Sequence, residues 1–119
     1  MIRATVRHFA LCLVLVASTT QAQYLSILGA SPVSHFNDAD NKLMLAAIDK
    51  ALADPADGVA QAWKNPASPA SGSVTARKSY VSEGRQCRDL LVANSYKTLK
   101  GEAVHTFCRD GAGQWKLVQ

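Results

Sequence analysis

The chain is poor in the residues from which catalytic and metal sites are usually assembled. Its 119 residues hold three cysteines, three histidines and no Cys-x-x-Cys. No motif brings His35 or His105 together with a serine, a cysteine or an acid. Asp38 and Asp40 lack the surrounding pattern of a calcium loop and are expected to cap a helix. No long-period repeat occurs, and only the small-residue stretch at residues 67–73 approaches low complexity. No apolar run reaches the ~20 residues that a spanning helix needs. These shortages leave no cofactor, metal or catalytic residue to nominate. They leave an unrecognised small enzyme as the weakest of three readings.

What is present begins with an export signal. Arg3 and Arg7 precede an apolar run at residues 9–17, and Thr20-Gln21-Ala22 puts small residues at the −3 and −1 positions of a cleavage site. Residues 1–22 are therefore expected to be a signal peptide. Cys12 lies inside the apolar run, so lipidation there is not expected. Removal of 22 residues leaves 97, with no further transmembrane segment. Two cysteines remain, Cys87 and Cys108, and an even count in an exported chain predicts a disulfide. A domain this small buries only about two-thirds of its unfolded surface and gains from such a staple.

Charge is unevenly spread. Without Arg3 and Arg7 the net falls from +4 to +2, with −3 over residues 23–58 and +5 over residues 59–119. The basic half either complements the acidic half or meets an anionic envelope polymer. Nucleic acid is not expected of an exported chain with so small a net charge.

Along the mature chain, residues 23–36 carry no stable period and are read as a flexible leader. Residues 37–53 predict a helix, capped by Asn37 or Asp38 and stopped by Pro55. Met44, Leu45, Ile48, Ala51 and Leu52 are expected to form its apolar stripe. Residues 59–64, 73–82, 85–94, 101–109 and 114–118 alternate as short strands separated by turn residues. Together they predict an α+β domain at residues 37–119. One main helix packs on a four- to five-stranded antiparallel meander sheet with one cross-strand disulfide.

Setting Cys87 opposite Cys108 places the intervening turn at Lys97-Thr98 and Leu91 opposite Val104. Turns at Glu83-Gly84 and Ala112 then set Tyr80 against Cys87, Ala76 against Leu91 and Trp115 against Cys108. Val74, Ala76, Tyr80, Cys87, Leu91, Val104, Cys108, Trp115 and Leu117 share one face in this register, expected under the helix. Trp63, Tyr80 and Trp115 are the expected core aromatics. The other face groups Arg77, Arg88, His105, Phe107, Arg109 and Lys116 with Leu90 and Val92 as a candidate binding surface. Arg88 and Arg109 either pair with nearby acids or form an anion-binding pair beside Lys116 and His105.

The ordered set from Trp63, Asn65 and Pro66 through Gly72-Ser73-Val74-Thr75, Tyr80, Cys87-Arg88 and Cys108-Arg109 to Trp115-Lys116 resembles the bacterial 17 kDa surface-antigen family in its C-terminal domain. The likeness spans residues 37–118. It implies an envelope protein of the outer membrane or surface without an established catalytic role, while two departures from the family pattern, no lipobox and no glycine-rich apolar segment before the helix, point equally to a periplasmic or secreted form. Two readings of its work follow. One is an envelope protein that binds an unknown envelope protein or anionic polymer. The other is a periplasmic inhibitor or accessory module whose disulfide-tied hairpin enters a partner's cleft. Oligomeric state is left open.

Overall fold

Short connections make each strand pair with its neighbour in sequence. The computed structural model describes residues 31–119, so the expected signal peptide and most of the expected leader lie outside the described residues. A 3-10 turn, Pro32–His35, precedes one helix, α1 (Asp38–Ala53). Five strands follow: β1 (Ala60–Lys64), β2 (Ala70–Ser82), β3 (Arg85–Tyr96), β4 (Leu99–Arg109) and β5 (Trp115–Leu117). They form one antiparallel sheet in the order β1-β2-β3-β4-β5. The architecture is the α+β meander that the sequence predicts. Among the described residues no helix is long and apolar enough to cross a membrane.

Local chemistry sets the boundaries. Asn37 caps α1 through a reciprocal capping box: its side chain accepts from Asp40 N–H at 2.9 Å, and Asp40 Oδ2 accepts from Asn37 N–H at 3.0 Å. Glu83 and Gly84 join β2 to β3 with φ of 51° and 74°, the doubly left-handed pair of a type I′ turn whose twist matches the strands. Lys97-Thr98 turns β3 into β4 as expected, with Lys97 at φ 54°. Residues 31–36, read from sequence as the end of a leader, pack on the sheet: Pro32 is buried, and His35 stacks on Tyr96 at 5.2 Å between ring centroids.

The core lies between α1 and one face of the sheet. Ala47, Ala51 and Leu52 meet Trp63, Ala70, Val74, Ala76, Leu90 and Val92. Leu90 and Val74 are 0% exposed, and burying an aliphatic side chain of this size contributes about 1.5–3 kcal/mol. Phe36 meets Trp63 edge-on at 5.3 Å, closing the core at the start of the helix. Leu45, expected in the apolar stripe, is 55% exposed, and Ala47 takes the inward position instead.

The face expected under the helix is largely the outer one. Cys87 pairs with Cys108 and Leu91 with Val104, as read. Two single-residue differences then change which side chains share a face. A bulge at Arg77 shifts β2, so Ala76 lies opposite Leu90 while Tyr80 still lies opposite Cys87. β5 is offset by one, so Lys116 rather than Trp115 lies opposite Cys108. An odd shift in a structure of period two exchanges the faces. Val74, Ala76, Trp115 and Leu117 therefore join Arg88, Leu90 and Val92 on the helix side. Tyr80, Leu91, Val104 and the disulfide lie on the opposite, open face.

Candidate functional site

The helix-side surface contains one buried cation. Arg88, 5% exposed, projects from β3 beneath the C-terminal end of α1. Its Nη1 donates to the carbonyls of Ala51 at 2.8 Å, Leu52 at 3.1 Å and Asp54 at 2.5 Å. Its Nη2 donates to Asp57 Oδ1 at 2.7 Å and to Ala56 O at 3.5 Å, and its Nε donates to Ser79 Oγ at 2.9 Å. The last carbonyls of a helix lack intrahelical partners and carry the negative end of its dipole, so a guanidinium there satisfies both needs. Hydrogen bonds from Arg88 and Ser79 hold the Asp57 carboxyl below its ordinary value of 3.8. Arg88 thus bolts α1 and the following loop to the sheet and has no donor left for a ligand.

Asp40 performs the matching task at the other end of α1. Burial raises its pKa, but hydrogen bonds from Asn37 N–H, Ser68 Oγ and Asn65 Nδ2 outweigh this and hold it below 3.8. The Asn65 and Ser68 bonds, both 2.7 Å, tie the helix start to the β1–β2 loop. The capping role expected of Asp40 is real, and its long-range partners were not visible in sequence.

The open face is built differently. Strand register places Lys64, Lys78, Arg85, Lys100 and Lys116 on it, against Asp89 and Glu102. Among the described residues no other element covers it. Asp89 Oδ1 accepts from Tyr80 Oη at 2.9 Å and from Thr106 Oγ1 at 2.8 Å. The Asp89 bond and partial burial raise the Tyr80 pKa above 10.0. Lys78 Nζ lies 5.1 Å from the centre of the Tyr80 ring, a cation–π distance. The Cys87–Cys108 disulfide sits between Tyr80 and Lys116 with both cysteines buried. The face sets its basic side chains beside small or hydroxyl-bearing Ala62, Ser73, Thr75 and Ala93 and the apolar Leu91 and Val104.

A groove of about 510 Å³ opens on the helix side where α1 ends, lined by Leu52, Pro55, Val81, Gln86, Arg109 and Trp115 among others. Its polar groups are largely engaged. Arg109 lies over the Trp115 ring at 4.6 Å and donates from Nη1 to Gly113 O at 3.0 Å. Arg88 and Ser79, which also line it, are held in the helix bolt.

The six residues grouped in sequence as one surface are therefore divided. Arg88, His105, Phe107 and Arg109 lie on the helix side, Lys116 on the open face, and Arg77 is exposed at the bulge. Of the aromatics, Trp63 is in the core, Trp115 packs on its margin, and Tyr80 is on the open face. Lys64, Lys78, Arg85 and Lys100 were not singled out in sequence: the bulge brings Lys64 to the Cys87 face, the β5 offset brings Lys116 there, and Lys78, Arg85 and Lys100 share that face, which was expected to lie under the helix. The β3–β4 connection is a two-residue turn, so no long loop stands out from the disulfide-tied hairpin. Among the described residues no three histidine, cysteine or acidic side chains converge in metal-binding geometry.

The family model described as 17 kDa outer membrane surface antigen matches residues 50–116, from the end of α1 to β5. No curated protein and no solved structure matches the chain.

Proposed function

The chain belongs to the 17 kDa outer membrane surface antigen family, and on that premise we propose that it is an exported, non-catalytic envelope protein that binds an anionic envelope polymer through its open sheet face. Export rests on the signal-peptide pattern of residues 1–22. The observation that carries the binding reading is the imbalance of that face, with five lysine or arginine side chains against Asp89 and Glu102. Both Tyr80 and Thr106 donate to Asp89, which further reduces what that acid presents to solvent. An extended surface with several positive charges suits a repeating anionic chain, because several weak contacts form at once.

The test is a binding titration against lipopolysaccharide, anionic phospholipid vesicles and cell-wall polymer at low and physiological salt. Wild-type protein binds at least one of these, more weakly as salt rises, because exposed charges are screened over about 8 Å at physiological ionic strength. The triple substitution Lys64→Glu, Lys78→Glu, Lys116→Glu removes that binding and leaves the fold intact. Equal binding by a folded triple variant, or no binding by the wild type to any of the three, overturns the proposal.

A further inference from the structure

The outer edge of β4 is only partly used. β5 pairs with residues 107–109 alone, and the C-terminal residues add bonds at Thr106. Thr106 N–H donates outward to Gln119 O at 2.6 Å, and Thr106 O accepts from Val118 N–H at 2.8 Å. Alternation along a strand then directs the N–H and C=O of Lys100, Glu102 and Val104 outward as well. Among the described residues these groups pair with nothing. The stretch holds no proline and no bulge, and Leu99 and Val104 are exposed on it at 39% and 54%. It is a straight, open template for another strand.

We propose that this edge pairs with the same edge of a second copy, antiparallel, about a two-fold axis through Gly101. Charge selects that register. Centring the axis on Gly101 sets Lys100 opposite Glu102 of the second copy, and by symmetry sets Glu102 opposite the second copy's Lys100. Lys100 and Glu102 both direct their backbone groups outward, so each pair exchanges two backbone hydrogen bonds. Opposite charges facing each other across strands are favourable, whereas a shift centring the axis on Glu102 sets like charges face to face. A further shift toward the C-terminal end of β4 would bring Lys100 to Thr106, whose outward groups are already bonded. Gly101 meets its own copy at a closely spaced position between the hydrogen-bonded pairs, with Pro32 packed over it on the helix side, where an added Cβ would lie 3.2 Å from Pro32 Cδ. The axis stands perpendicular to the sheet, so both open faces point the same way. A ten-stranded sheet results, with twice the basic surface on one side. The inference concerns the edge rather than the face, and its test uses no polymer.

The experiment is sedimentation equilibrium of the mature chain with its disulfide intact, carried up to about 1 mM, the range in which a weak edge contact is populated. The mass rises from one copy toward two with concentration. Lys100→Glu and Glu102→Lys, each alone, place like charges opposite twice by symmetry and weaken association about ten-fold. The double variant Lys100→Glu, Glu102→Lys restores the pairing with charges exchanged and recovers the wild-type midpoint. Both positions are exposed, and unchanged thermal melts verify the fold of each variant. Glu102→Gln, which removes the attraction without adding repulsion, falls between wild type and Glu102→Lys. A wild type that stays single across the range overturns the inference. So does a dimer indifferent to the single changes, or one that the double variant does not recover.

Discussion

The two faces of the sheet use positive charge in opposite ways. Under α1 a single guanidinium, Arg88, is buried with all its donors committed to helix carbonyls, Asp57 and Ser79. On the open face, the side chains of Lys64, Lys78, Lys100 and Lys116 make no hydrogen bond among the described residues. Arg85 has only a 4.0 Å approach to exposed Glu83. The lesson is that a basic residue on a strand has no role until its face is known. Arg88 and Lys116 differ in function because they lie on opposite sides of one sheet, not because their charges differ.

The strongest way to break this comparison is to remove the buried cation. Arg88→Ala leaves the carbonyls of Ala51, Leu52 and Asp54 and the Asp57 carboxylate without their donor. Breaking a buried charged network of this kind costs about 3–5 kcal/mol, and chemical denaturation measures it. A loss within the ordinary surface range of about 0.5 kcal/mol would show that the bolt is dispensable.

The disulfide separates stability from helix packing. Its cysteines lie 21 positions apart on the open face. In the chain-entropy model, closing a loop of this size is worth about 3 kcal/mol. A Cys87→Ala, Cys108→Ala double variant melts well below wild type and keeps its strand order, because the turns and the Leu90 side of the sheet hold the register independently. Two free thiols in oxidised protein, or an unchanged melt, would contradict this.

Gly72 sharpens the contrast from the helix side. A Cβ built there would come within 2.5 Å of Ala93 O and 2.6 Å of Trp63 Nε1. The first contact is backbone, so Gly72→Ala must displace β3 or the indole, and overpacking of this kind costs about 1–3 kcal/mol. Alanine in place of Gly111, where an added Cβ meets nothing, serves as the control in the same denaturation series.

Acid and base address the two faces separately. Asp57 and Asp40 are depressed in the folded protein, so their contribution is present above the unfolded value of 3.8 and is lost as pH falls through the folded values. Tyr80 is raised, so its contribution is full below 10.0 and is lost as pH rises through the folded value. Melting curves across pH accordingly show an acid limb that Asp57→Asn reduces and an alkaline limb that Tyr80→Phe reduces. The smallest stability change belongs to the open-face lysines. Lys78→Ala and Lys116→Ala shift stability by no more than about 0.5 kcal/mol, whatever they do to binding.

Much of the fold was legible because it is written locally. Asn37 and Asp38 mark a helix start, Pro55 marks its end, and Glu83-Gly84 marks a hairpin turn. The Cys87–Cys108 pairing followed from the cysteine count of an exported chain, and setting the two opposite each other located the turn at Lys97-Thr98. The candidate surface was legible in kind but not in membership. Arg77 gives no local sign of a bulge, and the one-residue offset of β5 depends on how residues 110–114 close. That loop is fixed by Asp110 Oδ1 accepting from Ala112 N–H and Gln114 N–H, both at 2.9 Å.

The sequence by itself determined an α+β meander with one capped helix, four to five alternating strands, one cross-strand disulfide and a basic C-terminal half. The tertiary structure alone decided which face of the sheet the helix covers. Both faces offer apolar side chains, Leu91 and Val104 on one and Leu90 and Val92 on the other, so hydrophobic pattern did not separate them. The choice fell to the face where Arg88 reaches the carbonyls at the end of α1 and where Ala76, past the bulge, lies beside Leu90. The first contact joins residues 37 positions apart, the second depends on the bulge, and strand alternation carries no signal of either.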